Sequence, residues 1–235
     1  MSDLAPIQPN EGKRLIIELD GVTYARYPLR TPLVSAGDDV VSLVKAAVEP
    51  YLAEGDTVVV SEKIVAIAQG RAFPVEEIRP SFWARLLSRF VSRPGWGIGL
   101  GSPETMELAI REAGLWRIVL AGALAFIPRL FGVKGLFYVI AGHNVNAIDG
   151  PTPYTIPPYN RYAKLPPKDP RRVAEAISRA LSDAPVAIID ANDIGQRVLG
   201  ASKGVDKRLV EKLFADNPLG QGAEQTPVAI VRRVG

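Results

Sequence analysis

Residues 169–193 read DPRRVAEAISRALSDAPVAIIDAND, and this stretch decides the fold class. Asp169-Pro170 starts a helix, because proline in a first helical turn gives up no hydrogen bond and its fixed φ suits the geometry. That helix is expected from Arg171 to Ser182. Val186 to Ile189 is then a short apolar run of the buried-strand kind, ending at the turn Asp190-Ala191-Asn192-Asp193. A helix leading directly into a buried strand is the building block of α/β architecture.

Outward from there the same alternation recurs. Gly55-Asp56 turns the chain into the β-branched run Thr57 to Val60, and a second apolar element, Ile64 to Ala68, closes at Gly70-Arg71. Arg14 to Leu19 and Val22 to Arg26 are β-prone and split by Asp20-Gly21, a hairpin signature. Thr31-Pro32-Leu33-Val34 leads to Gly37-Asp38-Asp39, where Asp38 or Asp39 caps an amphipathic helix from Val40 to Leu52. Ser81 to Val91 and the stretch after Ser102-Pro103-Glu104 have helical spacing, while the glycine-rich Arg93 to Gly101 does not. Leu115 to Ile140 reads as buried strands and helix, and Pro151 to Pro170, with seven prolines, as mostly irregular backbone. Val205 to Phe214 is the last helix and Val228 to Val231 the last strand. The expected fold is mixed α/β (α+β, mixed sheets with helices) in two or three layers. Residues 1–12 are expected as a flexible tail and residues 13–235 as one unit that can divide into two intertwined lobes.

Composition narrows the chemistry. Of 235 residues 47% are apolar and 23% charged, an ordinary balance for a folded domain. Cysteine is absent, which removes disulfides, thiolate metal sites and cysteine nucleophiles and suits the reducing cytoplasm. A single histidine, His143, excludes a multi-histidine metal cluster. The net charge of +3 comes from scattered basic residues, so no nucleic-acid arm is expected. The Leu115 to Ile140 stretch carries Arg117, Arg129, Lys134 and Pro128, so no uncharged run reaches the ~20 residues of a membrane span. No membrane partner is expected; the minority reading is a membrane-surface hairpin with Phe126, Phe131, Phe137 and Tyr138 as its apolar side.

Neither a phosphate loop GxxxxGK[ST] nor GxGxxG occurs: Gly95, Gly97, Gly99 and Gly101 alternate in the wrong pattern. Two aspartates stand out instead. Asp149 and Asp190 each end an apolar run and begin a glycine-, proline- or asparagine-rich turn, and ligands in α/β sheets collect beyond strand ends. Two carboxylates held together need a cation or proton between them, and a hard divalent ion would in turn hold phosphate oxygens. Read singly, each is an ordinary loop-shaping aspartate. The loop Asn217 to Pro227 adds Gly220 and Gly222 for close backbone approach, with Gln221, Glu224 and Gln225 as polar side chains. His143, near Asp149, is either a catalytic or substrate contact or a structural side chain.

Several of these stretches, in order, resemble the gamma-glutamyl ligases that extend the tail of the deazaflavin coenzyme factor 420. They are Thr31 to Val34 with Gly37-Asp38-Asp39, Gly55 to Val60 through Gly70-Arg71, Asn146-Ala147-Ile148-Asp149, Leu165 to Pro170, Asp190-Ala191-Asn192, and Gly220-Gln221-Gly222 before Thr226-Pro227-Val228. The resemblance implies that family's two-lobed fold in an intertwined homodimer. It implies a ligase that uses GTP and a divalent metal, magnesium or manganese, to join a carboxylate to the amine of glutamate. Carried over to this chain, Asp149 and Asp190 would hold one metal, with the Ala191 carbonyl and Gln221 near a second. Pro32, Leu33, Val34, Ser61, Glu62, Lys63, Gly220, Gly222, Glu224 and Gln225 would surround the nucleotide. Departures from the family pattern are Gln69 for glutamate, Glu62, Lys63 and Ile67 where a Ser-Thr pair and a lysine are usual, Ala191 for threonine, Thr152 near an asparagine position, and a shorter connection before Gly220. The alternative on the same fold is a non-catalytic or regulatory protein that binds metal and nucleotide.

Overall fold

A computed structural model describes residues 7–91, 99–130, 136–142, 145–192 and 195–235. The chain divides into two units, one made of residues 1–70 with 167–235 and the other of residues 71–166.

The first unit is built on a six-stranded sheet. Strands β1 (Ile16–Leu19) and β2 (Val22–Leu29) form an antiparallel hairpin. Its turn residues Asp20 and Gly21 both take positive φ (53° and 77°), the geometry that matches the twist of the flanking strands. With β3 (Thr57–Ser61), β6 (Val186–Asn192), β7 (Gly195–Ala201) and β8 (Val228–Arg233) the order is β1-β2-β8-β3-β6-β7. Within this sheet only β3 and β6 run parallel, and they are the two β-branched runs legible in the sequence. Both lie inside the sheet rather than at its edge, which is why Val58, Val59, Val60 and Val186 to Ile189 are all fully buried.

Helices cover both faces. Helix α8 (Lys207–Leu213) packs with Phe214 on the face formed by Val59, Ala187, Ile189, Ala229 and Val231. Helices α1 (Val40–Val48) and α7 (Pro170–Ala180) pack against β6, β7 and β8, with α2 (Glu62–Ala68) against β6. The α1 cap is Asp39, whose carboxylate accepts the Val41 amide at 3.0 Å.

In the second unit, β4 (Ala72–Pro74) and β5 (Tyr162–Lys164) make a two-stranded ladder. Helices α3 (Phe82–Leu87), α4 (Pro103–Ala113), α5 (Leu115–Leu130) and α6 (Leu136–Ala141) surround a core that includes Leu100, Met106, Leu108, Ile118, Ile148 and Leu165. Ser102 caps α4 as the sequence implies.

Two local expectations change. Leu115 to Ile140 is helical where it is described, without strands: Ile118 and Ala121 are three residues apart, so a helix puts both into the core on one face and satisfies its own backbone. Strand β6 runs on through Asp190 to Asn192 because β7, unforeseen in the sequence, pairs with it. The proline-rich segment is mostly irregular, as expected, apart from the single turn Tyr159–Arg161 and β5. No helix among the described residues is long and apolar enough to cross a membrane.

A buried ion pair fixes the chain on the α8 side. The Arg26 guanidinium is fully buried and donates to the Leu213 carbonyl (2.7 Å), the Arg14 carbonyl (2.6 Å) and both oxygens of Asp216. Burial alone would raise the Asp216 carboxyl, but hydrogen bonds and charge from Arg26 outweigh it and hold it below the usual carboxylate range. A depressed folded value means this stabilisation is complete above the unfolded pKa and is lost as pH falls through the folded one. Asp216→Asn should therefore cost about 1 kcal/mol at neutral pH, the figure being modest because the Asp216 side chain is 46% exposed. The difference from wild type should shrink below about pH 4. Urea unfolding at several pH values measures this; a difference that is constant with pH would rule out the ionic contribution.

Candidate active site

Strand register brings four segments to one edge of the six-stranded sheet. In the parallel pair, Ser61 stands opposite Ile189, so Glu62 and Asp190 follow at the same level. Strand β8 begins at that edge, with Val228 opposite Val60, and the Ser61 amide donates to the Pro227 carbonyl at 2.7 Å. Strand β2 ends there, with Leu29 opposite Val228, and the Thr31 amide donates to the Gln225 carbonyl at 3.1 Å. Within the first unit, then, Pro32-Leu33-Val34, Ser61-Glu62-Lys63, Asp190-Ala191 and the Gly220 loop all leave one side of the sheet. This is the carboxyl end of its parallel strands, where α/β sheets present ligand-binding loops.

The Gly220 loop is held by short hydrogen bonds. Asn217, fully buried at φ 47°, receives the Gly220 amide on its backbone carbonyl and donates Nδ2 to the Gly220 carbonyl, each at 3.1 Å. Thr226 Oγ1 donates to the Leu219 carbonyl at 2.9 Å and so draws the two ends of the loop together. Asn10, in the stretch read as a tail, donates to the Pro218 carbonyl (2.8 Å) and to Thr226 Oγ1 (2.7 Å). The Glu224 carboxylate lies over both glycines: a Cβ at Gly220 would come within 2.6 Å of it. Asn217 Oδ1 and Gln221 Nε2 are buried without a hydrogen-bond partner.

Ser61 caps α2, its hydroxyl accepting the Lys63 amide at 3.3 Å. Glu62 is buried, at 5% exposure, as is Ile67, while Lys63 is half-buried. On the neighbouring turn Val34 is buried and Leu33 is 40% exposed. Asp190 faces Arg197 across the β6–β7 pair, and Ala191 packs toward the α8 side.

Asp149 belongs to the second unit. It does not end a sheet strand, as the sequence suggested; it follows the single turn Val145–Ala147 and pairs with Lys164 through reciprocal backbone hydrogen bonds of 3.0 and 2.8 Å. Lys164, itself buried, donates Nζ to the Tyr159 carbonyl at 3.2 Å. His143 lies outside the described residues, as do the side chains of Phe126 and Tyr138 and the whole of Phe131. No group of three or more His, Asp or Glu side chains placed to hold a metal occurs among the described residues. The Asp190 carboxylate, the Ala191 carbonyl and the Gln221 amide carry hard oxygens, the donor type that a magnesium-type ion takes, few of them from protein and the rest from water and phosphate oxygen.

Some residues that stand out in the sequence serve the frame. Asp56 is buried and accepts two hydrogen bonds from Arg232, at 2.8 and 2.7 Å. Gln69 both donates to the Lys168 carbonyl (2.9 Å) and accepts the Lys168 amide (2.7 Å), a two-way contact that glutamate could not make. Arg71 binds the Pro166 carbonyl and Glu112. Sequence reasoning passed over Asn10, Arg26 and Asn217, because a lone polar residue gives no periodic signal of its tertiary partners.

The family described as F420-0:Gamma-glutamyl ligase matches residues 28–196, which cover the candidate positions from Pro32 to Ala191 but not the Gly220 loop. The coenzyme F420:L-glutamate ligase of Methanopyrus kandleri is 29% identical over 150 residues, covering 64% of this chain and 50% of that protein. An uncharacterized protein of Methanocaldococcus jannaschii is 27% identical over 183 residues, covering 74% of this chain and 59% of that one. The coenzyme F420:L-glutamate ligase of Methanothermobacter thermautotrophicus is 43% identical over 53 residues, 21% of each chain. In these alignments the chain spans about half the length of the first two relatives.

Proposed function

The chain belongs to the F420-0:gamma-glutamyl ligase family, and from that premise we propose that it joins a small-molecule carboxylate to the amine of glutamate at the expense of GTP. The acid is coenzyme factor 420 in its unextended form or a related carboxylate. Its oxygen attacks the terminal phosphorus of GTP, GDP leaves, and an acyl phosphate forms. The glutamate amine then attacks the acyl carbon; phosphate departs with the bonding pair, a proton leaves the nitrogen, and an amide remains.

The observation that carries this reading is the meeting of four chain segments at the carboxyl end of β3 and β6. Backbone amides and glycines there suit an anionic ligand, since preorganised donors stabilise charge as it develops on phosphate. Gln221 Nε2, a buried donor without a partner, and the two glycines beside it are consistent with a cradle for a polar group. In the first unit, Asp190, Ala191 and Gln221 are the residues proposed to hold magnesium or manganese. When bound, such a cation neutralises phosphate charge. An intertwined homodimer in the cytoplasm is part of the same proposal.

Mixing the full chain with GTP, manganese, glutamate and the unextended coenzyme tests the reading. Sustained turnover of GTP to GDP should require both acid and glutamate, and the product should gain one glutamate in mass. GTP binding without GDP release across a panel of acids would replace the ligase with a nucleotide-binding protein.

A further inference from the structure

Residues 214–227, between α8 and β8, run without helix or strand. No ladder serves their backbone groups there, so each depends on whatever partner reaches it. The carbonyls of Pro218 and Leu219, just ahead of Gly220, are met by side chains. Asn10 Nδ2 donates to the first at 2.8 Å, and Thr226 Oγ1 to the second at 2.9 Å. Asn10 Nδ2 also donates to Thr226 Oγ1 at 2.7 Å, although Asn10 stands 208 residues before Pro218 in the chain.

These three bonds have a fixed direction. An amide nitrogen gives hydrogens and accepts none, so Thr226 Oγ1 accepts from Asn10 and turns its single proton to the Leu219 carbonyl. The segment carrying Asn10 is itself held in place. The Lys13 amide donates to the Asn10 carbonyl at 3.0 Å across a turn with Gly12 at φ 70°, where glycine sits without strain. Lys13 Nζ donates to the Asp216 carbonyl at 2.5 Å. Strand β1 follows and pairs with β2. One turn of chain therefore grips the loop at Asp216, Pro218 and Thr226, on both sides of Gly220 and Gly222.

We infer that Asn10 is a positioning residue for the Gly220 loop: the turn Asn10–Lys13 is a strap that sets the conformation of residues 218–226 and, through it, the affinity for GTP. The strap stands on the hydrogen bonds alone, whereas its effect on GTP rests on the ligase reading proposed above.

Asn10→Asp tests this, because it keeps the size of the side chain and removes both donors. Its carboxylate would face the Pro218 carbonyl oxygen to oxygen and would draw the Thr226 proton away from Leu219. In hydrogen exchange of the full chain without ligand, residues 219–225 should exchange at least about tenfold faster than in the wild type, with β3 and β6 unchanged. In turnover, the KM for GTP should rise about tenfold while the KM for glutamate stays the same. Asn10→Gln, which retains the donor amide, should exchange more slowly than Asn10→Asp and show a lower KM for GTP. Equal loop exchange in wild type and Asn10→Asp would overturn the strap. So would faster exchange spread evenly over the sheet, since Asn10 would then be a general stabiliser. A loosened loop with an unchanged KM for GTP would overturn its effect on the nucleotide. A wild type that binds no GTP would instead refute the ligase reading and that effect with it, while exchange still decides on the strap.

Discussion

Gly200→Ala is expected to destabilise the protein by about 3 kcal/mol, enough to lower the melting temperature by roughly 10 °C. Gly200 lies on β7 opposite Ile188, under the start of α7. A Cβ there would lie 2.3 Å from the Arg171 nitrogen and from the Pro170 carbonyl carbon, and 2.7 Å from the Pro170 oxygen. All three atoms are backbone, so no side chain can rotate away; α7 must lift from the sheet or β7 must bend. Lifting α7 would open the layer that covers β6 next to Asp190, so ligand binding should weaken together with stability. Gly195→Ala on the same strand is the control, because its Cβ would meet nothing within 4 Å. Thermal unfolding of both variants decides the matter, and equal melting temperatures would show that α7 does not press on β7 at that point.

Asp190→Asn should reduce turnover by about 100-fold or more while leaving the fold in place. Asparagine keeps the size of the side chain and one carbonyl oxygen, but it removes the negative charge that a divalent cation requires. A purely structural Asp190 would behave differently. Its neighbour across the ladder is Arg197, and removing the acidic side chain opposite it would register as a small fall in stability with unchanged turnover. Measuring manganese uptake by calorimetry beside GDP release separates the two roles. Unchanged uptake would remove Asp190 from the proposed metal site, whatever happened to the melting temperature.

The strongest elements were legible in the sequence because their cause is local. Val58 to Val60 and Val186 to Ile189 read as buried strands, and the sheet uses them as its parallel pair. Asp20-Gly21 read as a hairpin turn, since few other residue pairs tolerate positive φ at both positions. Helices capped by Ser102 and Asp39 start where their side chains can accept first-turn amides. Strand β7 was not legible: Gly195 to Ala201 lacks a continuous apolar run, and its strand character comes from pairing with β6. For Leu115 to Ile140 the expected helix is present and the expected strands are not, because apolar content alone does not separate a strand from a buried helix.

Of the candidate site, the sequence supplied the residue types and the order of the segments: two aspartates at the ends of apolar runs, a proline-leucine turn and a glycine-rich loop. The meeting of the first-unit segments at one edge was decided by the antiparallel insertion of β8 between β2 and β3, which carries the Gly220 loop to the end of β3 and the Thr31 turn. Tertiary structure alone also set the fates of Arg26, Asn217 and Trp116. Arg26 and Asn217 are buried and hydrogen-bonded, whereas Trp116 is turned outward from a helix whose other side is core. The physical reason is one of range. Backbone propensity and capping act over about four residues and are written locally, whereas strand neighbours and burial depend on contacts between segments far apart in the chain, which composition and spacing do not encode.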